Sequence, residues 1–335
     1  MDCLVYNDEG STGYSIFFIG KGQVGTTMII NTGMRTDIPA FYSRWLRNRL
    51  RAGFVLVRNP YNEMQATRYI LSPDVVDLIG FCTKNPIPML PYMDAISAYG
   101  QYWFVSITPY GKDIEPGVPD KKQVIHAFQK LSTQLGMECV GWRYDPILIN
   151  AQYTAEKHLL QFEKIASALA GYTKTCVISF IDLYPKVRKN FPEIQAVSKE
   201  MRLYLGTNFI RIATKYGMTI KPCGEGTELA AYGADCSGCM TLAVYEQALH
   251  CKLRAPKIPG ARKECACFLN CDIGAYNSCG HFCRYCYANG SRAQVTQTMA
   301  RHNPDSPFLI GGGQPGDVIH DAQQKSWKDI AISLF

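Results

Sequence analysis

The sequence predicts an α/β protein built as a (β/α)8 TIM-like barrel, with a cysteine-rich, metal-bound C-terminal extension packed on it. Three observations carry that expectation. Short apolar runs recur along the chain and end in polar clusters, amphipathic stretches alternate with them, and ten of the fourteen cysteines fall between Cys223 and Cys286. Apolar runs without strict alternation suit strands buried on both faces, as in a parallel sheet. A parallel sheet in turn needs a crossover between successive strands, usually a helix.

Residues 1–26 contain "GSTGYSIFFIGKGQVG", whose order of glycines and lysine does not fit a phosphate-binding G-x-x-x-x-G-K-[ST] loop, so a leader or hairpin is expected there. From Thr27 onward "TMIINTGMRTD", "FVLVRNP", "VDLIGFCTKNP", "YWFVSITPYG", "CVGWRYDP", "CVISFIDLY" and "MTIKPCGEG" read as strands, with "FLNCDIGAY" as a candidate eighth. The count approaches that of a closed eight-stranded barrel over residues 27–262, leaving 263–335 as the cysteine-rich region. Residues 119–135 place Val124, Ile125, Phe128, Leu131 and Leu135 on one helical face before Gly136. Residues 154–170 do the same with Leu159, Phe162, Ile165 and Leu169, with Thr154 as N-cap and Gly171 as stop. "IGGGQPGD" at 310–317 reads as a flexible linker.

The 335 residues and 47% hydrophobic content supply a substantial core, and no apolar stretch approaches the ~20 residues a bilayer crossing needs. With no secretory signal pattern, a soluble, cytoplasmic protein without a membrane partner is expected. Clustered cysteines in such a compartment read as metal ligands, not disulfides. Cys3, Cys82, Cys139 and Cys176 lie apart and read as small buried hydrophobes. A net charge of +7, from 35 basic and 28 acidic residues, permits an anionic partner without requiring one. "RWLRNRLR" and "KVRKN" read as solvated helix faces, and their alternative use is nucleic-acid binding by a regulatory metalloprotein with structural cysteine sites.

Loops after the strands carry Arg35, Thr36, Asp37, Asn59, Lys84, Asn85, Thr108, Arg143, Asp145, Asp182 and Glu225. In parallel α/β folds those loops form the active face. Read functionally, the set lines a polar pocket. Read structurally, Asp37 and Thr36 cap the helix near Pro39 while Arg143 and Asp145 form one bracing ion pair.

The chemistry concentrates in Cys279–Gly290, "CGHFCRYCYANG". Three thiolates at C-x3-C-x2-C, with the aromatic Tyr285 between the last two, match the [4Fe-4S] loop of radical S-adenosylmethionine (SAM) enzymes. Such a loop leaves one iron open for SAM, and Cys279, Cys283 and Cys286 are the expected ligands. A zinc knuckle using two of these thiolates with His281 is the structural alternative.

"RTDIPAFYSRW", "VLVRNP", "TKNP", "TPYGKDIEP", "WRYDPIL" and "DIGAYNSCGHFCRYCYAN" together resemble the DUF1848 family, which carries a radical-SAM-like cysteine cluster at its C-terminus. The resemblance runs from about Ile30 to about Pro307 and implies a radical-SAM-like metalloprotein with no assigned substrate. It also implies roles for Cys223, Cys239, Cys265 and Cys267, as ligands of a second [4Fe-4S] cluster or of zinc, with Cys236, Cys251 and Cys271 near enough to substitute.

SAM binding needs a cation for its carboxylate, such as Arg143 or Lys84, and acceptors for its amino group and ribose. Arg35, Asp37, Lys84, Arg143 and Asp182 are therefore the expected catalytic set, and Tyr285, Asn85, Asp145 and Glu225 the expected cofactor contacts. The reaction would need a reductant such as flavodoxin or ferredoxin. Non-radical SAM chemistry, such as aminocarboxypropyl transfer, is the remaining alternative. In a closed barrel the last strand lies beside the first, so a cluster loop placed last would share the rim with Arg35 and Asp37.

Overall fold

The computed structural model describes residues 28–256, 267–268 and 271–329. The candidate leader at 1–26 and Cys265 lie outside them.

The chain starts with β1 (Ile29–Asn31), α1 (Ile38–Phe41), α2 (Ser43–Ala52) and an antiparallel hairpin, β2 (Phe54–Asn59) with β3 (Asn62–Ile70). β4 (Leu78–Thr83), a 3-10 helix at Ile87–Ile96, β5 (Gly100–Ser106), α3 (Lys121–Leu135), β6 (Val140–Ile147), α4 (Ala155–Leu169) and β7 (Thr175–Phe180) follow. Then come α5 (Pro185–Asn190), α6 (Lys199–Lys215), β8 (Thr219–Pro222), α7 (Leu242–Leu249), α8 (Arg292–Ala300) and β9 (Val318–Asp321).

Six strands form one parallel sheet in the order β1-β4-β5-β6-β7-β8. They are the strands whose sequences lack alternation: all five central residues of β5 are buried, and Phe81 of β4 stacks on Trp103 of β5 at 3.9 Å. The crossover helices follow the expected periodicity. In α3, Val124, Phe128 and Leu131 are buried, and Asp120 caps the start by accepting from the Lys122 N–H. In α4, Thr154 accepts from the Lys157 N–H, and Phe162 packs between Trp142 and Phe209 at 4.7 and 4.3 Å.

The barrel expectation is overturned. The sequence reads "FVLVRNP" as a parallel strand, but β2 returns on itself through Pro60–Tyr61, where Asn59 accepts from the Tyr61 N–H, and pairs antiparallel with β3. A two-residue connection cannot supply a parallel crossover. β9 adds in parallel to β3, giving a separate three-stranded sheet and leaving the six-stranded sheet open, with no β1–β8 pairing among the described residues. "IGGGQPGD" is the anchored lead-in to β9: Arg58 pairs with Asp317 at 2.6 Å and donates to the Gly312 carbonyl at 2.9 Å.

The candidate eighth strand shortens to one parallel bridge on the outer edge of β1. The Asn31 N–H donates to the Cys271 carbonyl and the Ile273 N–H donates to the Asn31 carbonyl, both at 3.0 Å. That bridge sets Cys279–Cys286 down beside the first strand without any closure. Ile273, Leu309 and Trp327 from the C-terminal region join the main hydrophobic core. No helix among the described residues is long and apolar enough to cross a membrane.

Candidate functional site

The loops at the C-terminal ends of the six parallel strands carry two groups of thiols. Over β1, β4 and β5 sits the Cys279–Cys286 loop. Asn277 just before it (φ 56°) and Phe282 within it (φ 54°) adopt left-handed backbone, a conformation that surrounding contacts must hold in place. Those contacts come from far along the chain. Tyr42 donates to the Ser278 carbonyl at 2.6 Å, the Gly117 N–H to the His281 carbonyl at 2.8 Å, and the Arg284 N–H to the Ile114 carbonyl at 3.0 Å. Asn289 closes the loop from within by donating to the Cys279 carbonyl at 2.8 Å. The strand-edge loop approaches so closely that a Cβ at Gly117 would come within 2.3 Å of the Gly280 carbonyl oxygen.

Two buried carboxylates anchor this loop to the sheet. Asp37 caps α1 through the Ala40 N–H and also accepts from the Lys84 backbone and from His281 Nε2, each at 2.8 Å. Glu115, 1% exposed, receives Lys84 at 3.0 Å, Lys121 at 2.7 Å, Thr108 at 2.8 Å and the Tyr285 hydroxyl. Burial opposes the charge on Glu115, but Lys84 and Lys121 outweigh it and hold the carboxyl at about 2. Burial likewise works against charge on Lys84, and the Glu115 carboxylate keeps it above its ordinary value. Lys84 Nζ also lies 5.5 Å over the Tyr285 ring. Burial pushes all three loop thiols up, and Cys279 interacts electrostatically with both Cys286 and Cys283.

The second group lies over β6, β7 and β8. Cys239 Sγ stands 3.7 Å from Cys223 and 3.4 Å from Cys267, with the Met240 N–H donating to Cys267 Sγ at 3.3 Å. Arg143 joins it to the sheet: its guanidinium donates to Asp145 at 2.6 and 3.0 Å and to Cys239 Sγ at 3.7 Å. The Cys223 hydrogen bond draws the Cys239 thiol down, while the Cys267 contact and burial push it up, leaving it at about 11. Burial opposes ionisation of Asp145, and Arg143 and Ser179 overcome this and hold its carboxyl below the usual range. All twelve described cysteines are free of disulfides. No group of three His, Cys, Asp or Glu side chains among the described residues is already arranged to hold a metal ion.

A family profile described as "Domain of unknown function (DUF1848)" matches residues 29–288, from β1 through the last cysteine of the loop. The chain belongs to the DUF1848 family. No curated protein matches it.

In this DUF1848 protein the rim residues named from the sequence fall into separate roles. Asp37, Lys84 and Tyr285 meet at the loop. Asp145 is felt by Lys84 across the sheet edge, so the two thiol groups face a common rim. Arg143 is committed to Asp145 and Cys239. Arg35, placed with the catalytic set, pairs instead with Asp272 at 2.6 Å and braces the bridge beside β1. Asn85, placed with the cofactor contacts, accepts from the Ile87 N–H and starts the 3-10 helix. Glu225 lines the same cavity as Cys223 and Cys239, takes the Phe180 N–H at 2.7 Å and Arg202 at 2.9 Å, and has its carboxyl pushed up to about 7 by burial, with Asp182 adding to that rise. Asn59 belongs to β2, away from this edge.

His281, the alternative zinc ligand, is occupied as a buried strut to Asp37. Glu115 is not singled out by the sequence, where it follows Lys112 and Asp113 in the turn-rich "TPYGKDIEPGVP". In the basic runs Arg44, Arg51, Arg188 and Lys189 are exposed, as solvated faces are, while the remaining basic residues pack. Arg49 donates to the Asp305 carbonyl, Arg47 lies over the Tyr92 ring, and Lys186 reaches the Ala288 carbonyl.

Proposed function

We propose that this DUF1848 protein is a radical SAM enzyme whose [4Fe-4S] cluster is held by Cys279, Cys283 and Cys286, acting on a substrate still to be identified. The observation that carries the proposal is the seating of a C-x3-C-x2-C loop on the C-terminal edge of the parallel sheet, with its backbone clamped by long-range hydrogen bonds. The donor set fits the group: three soft thiolates from one loop serve three irons and leave the fourth for an exogenous ligand. Two buried polar atoms of the loop region, Asn289 Oδ1 and Thr36 Oγ1, have no hydrogen-bond partner, as expected of groups that await a bound molecule.

When bound, the cluster supplies one electron to the SAM sulfonium, releasing methionine and a 5′-deoxyadenosyl radical. The chain's own residues hold and shield. Glu115 fixes Lys84 and the Tyr285 hydroxyl, so a cation stands beside Cys283 and offsets thiolate charge. His281, Gly117 and Asn289 keep the loop backbone from relaxing. Lys84 and Arg143, the candidate cations for an incoming carboxylate, are each already paired, with Glu115 and with Asp145.

The test is reductive turnover of SAM by anaerobically reconstituted protein. 5′-Deoxyadenosine is expected, and Cys283→Ala should abolish it. An intact cluster that leaves SAM uncleaved, or one that yields aminocarboxypropyl products instead, would overturn the proposal.

A further inference from the structure

The second thiol group has a geometry that separates it from an iron-sulphur site. Four cysteines, Cys223, Cys236, Cys239 and Cys267, line one cavity of about 40 Å³. Three glycines in left-handed backbone, Gly224 (φ 72°), Gly226 (φ 71°) and Gly238 (φ 109°), wrap the chain around it. The "DCSGC" segment is pinned against β8 by the Asp235 N–H donating to the Ile220 carbonyl at 2.9 Å and by Lys221, which binds Asp235 and the Gly238 carbonyl. Cys236 and Cys239 thereby form a C-x2-C knuckle held at the end of a core strand.

The sulphur separations decide between metals. Thiolates bound tetrahedrally to one ion at a metal–sulphur distance of ~2.3 Å lie about 3.8 Å from each other. The Cys239 separations of 3.7 Å to Cys223 and 3.4 Å to Cys267 are on that scale. Cubane ligands each bind a different iron and point away from one another, so thiols in mutual contact do not suit them. Two donors also favour thiolates here, the Met240 N–H toward Cys267 and Arg143 toward Cys239.

We infer that Cys223, Cys236, Cys239 and Cys267 bind a single tetrahedral zinc ion, a site separate from the Cys279–Cys286 loop. Cys236 reaches it by turning its thiol from the backbone of Ala230, its present partner. The ion ties the β8 loop, the knuckle and the segment at Cys267 into one unit, and Arg143 passes its position to Asp145 on the shared rim. The inference does not depend on SAM chemistry.

The test uses the full chain with Cys279, Cys283 and Cys286 replaced by alanine, supplied with both iron and zinc under anaerobic conditions. One zinc per chain without acid-labile sulphide is expected, and Cys236→Ser added to that variant should weaken zinc binding at least tenfold in chelator competition. Zinc X-ray absorption on the unaltered protein guards against misfolded variants and should show four sulphur neighbours at ~2.3 Å. About four irons with matching sulphide in the triple variant, no bound metal, or unchanged affinity on Cys236→Ser would overturn it.

Discussion

Cys279, Cys283 and Cys286 share one short loop, whereas Cys223, Cys239 and Cys267 come from three separate segments, and the fold treats the two groups in opposite ways. The contiguous set is easy to bring together but cannot hold its own shape, so it borrows clamps from Tyr42, Asp37, Ile114 and Gly117. The dispersed set is already positioned by β8 and the core, and a shared ion would close loops whose ends the fold has brought near. Contiguity therefore signals a site the protein must stiffen. Dispersion signals a site that stiffens the protein.

The largest separation of the two groups should come from Glu115→Ala. It leaves Lys84 and Lys121 without their common carboxylate and Tyr285 without its acceptor, and loss of one partner from a buried ion network costs about 3–5 kcal/mol. Urea denaturation should report that loss, while iron retention falls and zinc content stays at one per chain. Equal loss of both metals would mean that the groups are not independent.

Acid should act in the same direction. The Glu115 carboxyl is held at about 2 in the folded chain against an ordinary value of 4.5, with Lys84, Lys121, Thr108 and Tyr285 facing it. A depressed carboxyl stabilises fully above the unfolded value and loses that contribution as pH falls toward 2. The shift corresponds to about 3 kcal/mol. The slope of stability between pH 5 and 2 should flatten in Glu115→Gln, and an unchanged slope would remove Glu115 from the account.

Gly117→Ala should have the smallest effect. Its new methyl meets the Gly280 carbonyl and the His281 backbone, and forced displacement of packed backbone costs about 1–3 kcal/mol. Iron should dissociate faster from this variant with zinc unaffected, as followed by chelator competition.

The parts of this molecule visible in the sequence are those where local chemistry and final contacts agree. The runs of β4, β5, β6 and β7 are apolar on both faces, and Asp37 and Thr154 cap the helices they precede. The structural readings hold as read: Asp37 caps α1 and Arg143 pairs with Asp145. β3 was invisible because "NEMQATRYI" buries only Ala66 fully, and missing it turned its partner β2 into a false barrel strand. Spacing alone places Cys279, Cys283 and Cys286 on one loop, and the structure seats that loop beside β1. Glu115 is not legible in this way, because Lys84 and Tyr285 reach it from other loops that only the fold assembles, while Thr108 and Lys121 lie within seven residues of it.

The central claim is that the loop thiols hold a cluster with one iron open to SAM. EPR of the reduced protein before and after adding SAM tests it most directly, using Cys223→Ser/Cys239→Ser protein so that only the loop contributes. A spectrum that changes on SAM addition, and that vanishes with Cys283→Ala, is the expected result. A loop cluster with four irons whose spectrum ignores SAM would contradict the claim.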